Sequence, residues 1–181
     1  GLFTLIVLGE TVFAATLAVQ AAMDAGGATR ALLITAGAGL VVVFGMWWVY
    51  FEQPAAQFLV SNREGFVWGY GHFVIFASAA AMGAGLLVKV DHITGAAHIS
   101  AAGAGASVAV PAAVFLLAVW FLQVRPHHRG TAQNGAFLAA AGLALAAPLT
   151  GPATLPVLAT VLTALVTVCV LTGAPAEPAT G

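Results

Sequence analysis

The sequence predicts an all-α protein, a polytopic bundle of about six transmembrane helices. Of its 181 residues, 61% are hydrophobic and 6% are charged, whereas a soluble domain carries roughly 25% charged residues. Long apolar runs recur along the chain, and they do not alternate apolar and polar positions as the strands of a membrane barrel do. These observations favour helices that lie in a lipid bilayer.

Apolar runs that approach the ~20 residues needed for a helical bilayer span follow one another along the chain. They cover residues 2–23, 31–51, 66–90, 101–123, 132–148 and 154–171. The last two are shorter and are separated by little more than Leu149 to Pro152, so a tight hairpin and a broken re-entrant element both stay open. Residues 173–181 contain Pro and Gly without apolar periodicity and are predicted to be disordered.

The cationic residues of the connections predict the orientation of the bundle. With six spans, one side of the membrane receives Arg63, Arg125 and Arg129, and the other side receives Arg30 and Lys89. The positive-inside rule then places the N-terminus and the tail in the cytoplasm. Aromatic residues at the end of the second and fourth runs and at the start of the third predict an interfacial belt on one face of the membrane.

Glu10 is the ionisable residue that the first apolar run places deepest. A helix rises ~1.5 Å per residue, so Glu10 would lie roughly 12 Å inside the membrane if the span begins near Leu2. A carboxylate at that depth normally faces protein, finds a partner or takes up a proton. Its own helix offers no basic residue three or four positions away. His72 is the candidate partner, because its depth would be about 9 Å if the third span begins near Phe66.

A Glu–His pair inside a helical bundle can relay protons, bind a cation or simply satisfy its own hydrogen bonds. The alternative for Glu10 is a protonated carboxyl that is bonded to a backbone carbonyl or to Tyr50, Ser78 or Thr11. Glu52 follows the aromatic end of the second run, where it is either an ordinary interfacial charge or, together with Tyr50, part of a vestibule.

No pattern in the chain indicates a metal site, a cofactor or an enzyme. His92, His98, His127 and His128 do not have the spacing of a zinc site, and phosphate-binding loops and nucleophile motifs are not found. The formal net charge of −1 gives no reason to expect a nucleic-acid partner. An enzyme acting on lipid is a weaker alternative, for which the polar residues Glu52, Asn62, Arg63 and Glu64 would form the site.

Three blocks of sequence carry a resemblance to a known family. Gly1 to Glu10 reads GLFTLIVLGE, Trp47 to Glu52 reads WWVYFE, and Gly69 to His72 reads GYGH. Their order is similar to that of the bacterial low temperature requirement A (LtrA) family. The resemblance implies a multi-pass protein of the bacterial inner membrane, linked to growth at low temperature, without a chemical role for these residues.

Members of that family are longer, and the chain opens on Gly1 rather than on Met. We therefore expect the C-terminal part of a longer protein, with further helices before Gly1. The leading hypothesis for function is transport or ion permeation, with Glu10 as the protonatable or cation-binding group and a small solute or ion as its partner. The rival is a non-transporting structural or stress-adaptation protein.

Overall fold

The computed structural model of the chain describes residues 2–24, 30–52, 62–127 and 130–172. This part of the chain is helical and contains no strand, which confirms the all-α prediction. Its α-helices, in chain order, are α1 (Leu2–Asp24), α2 (Arg30–Phe51), α3 (Asn62–Thr94), α4 (Ala101–Val119), α5 (Thr131–Ala146) and α6 (Thr154–Thr172). The predicted tail at 173–181 lies outside the described residues.

Three described segments depart from regular α-helix, one of them the short 3-10 turn Arg125–His127. A π-helical turn, Trp120–Val124, continues α4, and a 3-10 segment, Ala147–Ala153, joins α5 to α6. Within that segment Gly151 has φ 60° and ψ −114°, a conformation that a residue with a Cβ atom rarely adopts. Because α5 and α6 also pack against each other, the 3-10 segment is the turn of a helical hairpin.

Four stretches of the described chain are long and apolar enough to cross a membrane. They are Arg30–Phe51, Gly65–Thr94, Ala101–Val124 and Thr131–Thr172, with a mean hydropathy between 2.0 and 2.3. The last stretch contains both α5 and α6, and α1 is not among the four. The chain is thus an integral membrane protein of helical class, while the count of about six spans stays a prediction.

The third helix is longer than the sequence predicted, and this changes the position of one charge. It begins at Asn62 and continues to Thr94, whereas the apolar run suggested 66–90. Lys89, which lies at the end of the predicted 66–90 run and was counted among the cations of the connections, is a buried residue of α3 with 2% of its surface exposed. The charge count was wrong for Lys89 because α3 continues past the polar pair Asp91 and His92 to Thr94.

Among the described helices, α3 and α4 form the largest interface, and their backbones approach closely at Gly85. A Cβ atom added to Gly85 would overlap the carbonyl oxygen of Ser107. The Ser107 hydroxyl oxygen lies 3.3 Å from the Gly85 carbonyl oxygen and 2.9 Å from the Ala104 carbonyl oxygen of its own helix, and its hydrogen is shared between them. Small residues allow such backbone contact where lipid supplies little hydrophobic drive between helices.

The bundle has an aromatic end and a lysine end. At the aromatic end α2 and α4 terminate and α3 and α5 begin, and the Trp120 indole donates to the Asn134 side-chain oxygen at 2.9 Å. At the lysine end, Lys89 of α3 reaches the 3-10 segment that follows α5. Consecutive helices therefore run in opposite directions between the two ends.

Substituting Gly85 tests the α3–α4 contact. We expect Gly85→Ala to destabilise the protein by about 1–3 kcal/mol, since the added methyl group must displace the backbone of α4. Gly142→Ala in α5 is the matched control, because a Cβ atom at Gly142 meets no atom within 4 Å. Thermal unfolding in detergent micelles measures both variants. Equal effects would show that the helices do not approach each other in this way.

Candidate functional site

His72 is the central residue of a polar cluster at the aromatic end. It lies on α3 with 6% of its surface exposed. Its Nδ1 atom is 2.6 Å from the Trp68 carbonyl oxygen, and its Nε2 atom is 3.0 Å from the Tyr50 hydroxyl. A carbonyl can only accept, so Nδ1 carries a hydrogen, and when the ring is neutral Nε2 accepts from the Tyr50 hydroxyl. The imidazole is thus held in one orientation and joins α2 to α3.

Aromatic rings enclose this imidazole. The Trp68 ring centroid is 3.9 Å from that of His72, with 45° between the planes, and the Phe76 ring lies on α3 at 5.7 Å. The Trp68 Nε1 atom is buried and has no hydrogen-bond partner among the residues described. A buried donor without an acceptor carries a free-energy cost, so this N–H is a place where a water or a ligand oxygen would be stabilised.

The predicted vestibule residues lie at the end of α2 beside this cluster. Tyr50 is buried, with its hydroxyl engaged by His72, and Glu52 is partly buried and its backbone N–H donates to the Trp48 carbonyl at 3.0 Å. A vestibule would also need residues 53–61, which lie outside the described part. The side chains of residues 62–64, which belong to the predicted lipid-enzyme site, lie outside it as well. The vestibule and the lipid-enzyme site therefore stay predictions.

The π-helical turn of α4 closes the aromatic end. It packs tightly on α3, since a Cβ atom on Gly71 would lie 2.5 Å from a methyl carbon of Leu122. The same turn buries the Gln123 side chain to 1% exposure, and Gln133 near the start of α5 is 3% exposed. Sequence reasoning missed both amides; an isolated Gln near an apolar run was the available signal. Single π-helical turns frequently accompany functional sites.

The relative height of α1 and α3 follows from one ring contact and from one cavity that both helices line. The Phe3 ring centroid is 6.1 Å from that of Phe76, and Val12 lines the same cavity as Leu86. In both pairs the residue numbers differ by about the same amount, so the two helices run side by side with a constant offset. The first turn of α1 is therefore level with the middle part of α3 rather than with its start.

This offset separates Glu10 from His72. It places the backbone of Glu10 near the level of Gly83, about 16 Å along the axis from His72. The sequence-based depths were counted from the start of each apolar run, whereas α3 begins well before the level of Leu2. The Glu10 side chain is outside the described part, so the direct pair stays a prediction. Of the described residues one turn away from it, Ile6 and Phe13 are exposed and Val7 is partly buried against the core.

Lys89 is a second buried ionisable residue of α3, and sequence reasoning missed it. Its Nζ atom donates to the Gly151 carbonyl at 3.4 Å, and the Thr154 hydroxyl donates to the same oxygen at 2.7 Å. Among the described residues no carboxylate pairs with this ammonium. The amine of a buried lysine thus contacts one backbone carbonyl, at the point where the α5–α6 hairpin leaves helical geometry.

Comparison with protein families identifies the chain. Residues 1–172 match the family described as bacterial low temperature requirement A protein (LtrA). The match covers nearly the whole chain, and the chain therefore belongs to this family. Searches of curated proteins and of solved structures gave no match.

The Tyr50–His72 hydrogen bond can be measured by removing one hydroxyl. We expect Tyr50→Phe to lower the free energy of unfolding by about 1 kcal/mol, because the variant leaves Nε2 of His72 without its donor. Tyr70→Phe is the control, since Tyr70 belongs to the same end of the bundle but is 76% exposed. Denaturant unfolding in micelles compares them. If both variants behave as the wild type, the bond contributes nothing to stability.

Neutralising Lys89 is expected to stabilise the protein. Lys89→Met keeps the length of the side chain, removes a buried charge, and leaves the Gly151 carbonyl with its Thr154 donor. We expect the free energy of unfolding to rise by about 1 kcal/mol or more, as when buried charges are replaced by apolar groups. Arg30→Met, at an exposed position of α2, should change the free energy of unfolding little. A marked loss of stability in Lys89→Met would instead show that the ammonium holds the hairpin in place.

Proposed function

We propose that this LtrA-family protein provides a pathway for protons or small ions across the bacterial inner membrane, without enzymatic chemistry. The observation that carries the proposal is the burial of two ionisable residues, His72 and Lys89, within one span-length apolar helix. Ionisable side chains at membrane depth are costly and rare, and they commonly mark ion and proton pathways. Membership of the family supports a link to growth at low temperature.

The depths of these groups fit a pathway. His72 and Lys89 are separated by about 25 Å along the axis of α3, which is most of the ~30 Å thickness of a hydrocarbon core. The offset of α1 puts the backbone of Glu10 at an intermediate level. A proton or cation that crosses the membrane along these helices would therefore pass His72 near one end of the bundle, Lys89 near the other, and Glu10 between them.

Each group has a distinct part in this proposal. Glu10 takes up the proton or cation, as the sequence suggested. The neutral His72 ring exchanges protons with the Tyr50 hydroxyl, because the two groups are already joined by a hydrogen bond. Lys89 repels cations while it is charged, and it contacts a backbone carbonyl in the turn of the α5–α6 hairpin.

A structural role is the second candidate, and one observation favours it. Both ring nitrogens of His72 are satisfied by Tyr50 and Trp68, which is what a packing residue requires. In that case Glu10 is a neutral, hydrogen-bonded carboxyl, and the protein serves membrane integrity or stress adaptation without transport.

Flux through the reconstituted protein distinguishes the two candidates. In liposomes with an imposed pH gradient, Glu10→Gln should abolish the pH-dependent flux of protons or alkali cations, because the amide cannot take up a proton. Asp24→Asn is the control: Asp24 is exposed at the end of the same helix, and its variant should keep the wild-type rate. An internal pH-sensitive dye follows the flux.

Two results would count against the pathway. An unchanged flux in Glu10→Gln removes this carboxyl from the mechanism. An absence of flux of any tested ion in the wild type, with normal helicity by circular dichroism, supports the structural role.

A further inference from the structure

A cavity of about 280 Å³ lies between α1, α2 and α3. Its walls are formed by Val12, Thr16, Thr35, Ala36, Gly37, Gly39, Leu40, Val43, Leu86 and Val90. The exposed side chains of Thr16 and Leu40 place one side of it at the surface of the bundle. It exists because α2 packs mainly on α6 and has few contacts with α3. Since α2 and α3 are span-length apolar helices, this opening faces hydrocarbon.

Thr35 places a polar hydroxyl in the largely apolar wall of the cavity. Its side chain is 6% exposed, and its hydroxyl has no hydrogen-bond partner among the residues described. The Thr16 hydroxyl, by contrast, donates to the Val12 carbonyl within its own helix at 2.8 Å. The Thr35 oxygen is not among the fully enclosed unpaired atoms, so it is accessible from the cavity, where a hydroxyl without a partner is unfavourable. It is therefore available to a ligand that brings an oxygen acceptor into the cavity.

The height of Thr35 indicates which ligand this is. Thr35 lies about 7 Å along the axis from the first residue of α2, Arg30, and the cavity continues for about 12 Å towards Val43. The polar point is thus near one membrane surface and the apolar part extends towards the bilayer centre, over most of one ~15 Å leaflet. A phospholipid has this arrangement, with an ester carbonyl above an acyl chain.

We propose that this cavity binds one acyl chain of a membrane phospholipid, with the lipid ester carbonyl accepting a hydrogen bond from the Thr35 hydroxyl. Arg30 is exposed at the outer end of the same helix, at the level of the headgroup, where its charge favours an anionic lipid. Gly37 keeps the path of the chain free, since a Cβ atom there would meet no protein atom within 4 Å. This site does not depend on the ion pathway proposed above.

Photolabelling of the reconstituted protein tests the site. The probe is a phosphatidylglycerol with a diazirine on one acyl chain, present as a trace in vesicles of phosphatidylglycerol and phosphatidylethanolamine. We expect labelled peptides from the α2 segment 35–43 and the α3 segment 86–90 in excess of those from the lipid-facing surface of α6. Gly37→Leu fills the cavity and should remove this excess, whereas Gly142→Leu, at another open helical glycine, should keep it.

A second pair of variants tests the hydrogen bond. Thr35→Val should lower the labelling of these segments by about threefold, as expected for the loss of one modest hydrogen bond. Thr163→Val is its control, because the Thr163 hydroxyl is bonded to its own helix through the Ala159 carbonyl. Labelling that is uniform over all helices and insensitive to Gly37→Leu would overturn the proposal. Displacement of the label by a trace of a long-chain isoprenoid alcohol, but not by excess phospholipid, would also overturn it in favour of an isoprenoid site.

Discussion

The close contact between the backbones of α3 and α4 is the constraint on which the rest of the structure depends. Gly85 leaves room for the Ser107 carbonyl, and the Ser107 hydroxyl bonds to the Gly85 carbonyl in return. In a bilayer, packing and hydrogen bonds of this kind replace the hydrophobic drive that assembles soluble bundles. Because α3 carries both His72 and Lys89, its fixed position on α4 sets where those side chains meet α2 and the hairpin.

The helical class and the approximate helices could be predicted from the sequence, because apolar runs of this length have few other solutions in a membrane. Tyr50 and His72 were each selected as candidate residues, yet their mutual hydrogen bond was not, since separate helices give no pairing information along the chain. Lys89 was missed for a local reason. Polar residues just after it, Asp91 and His92, resemble a loop, and only the packing of the hairpin shows that the lysine is inside.

The height of α1 could not be obtained from the sequence either. Depth was counted from the start of each apolar run, which assumes that helices begin at a common plane. The ring contact of Phe3 with Phe76 shows instead that α1 is displaced along α3. Such a displacement depends on which side chains interlock between two helices, and an apolar run of nearly uniform hydropathy does not encode it in any visible pattern.

The contact of Lys89 with Gly151 has a consequence in terms of thermodynamic linkage. Gly151 occupies a backbone conformation with positive φ that other residues rarely adopt, so the position of its carbonyl is tied to the geometry of the α5–α6 hairpin. Lys89 donates to this carbonyl, so its hydrogen bond depends directly on the geometry of the hairpin. If the hairpin has a second position, the proton affinity of the lysine differs between the two, and the protonation state biases the hairpin by the same free energy.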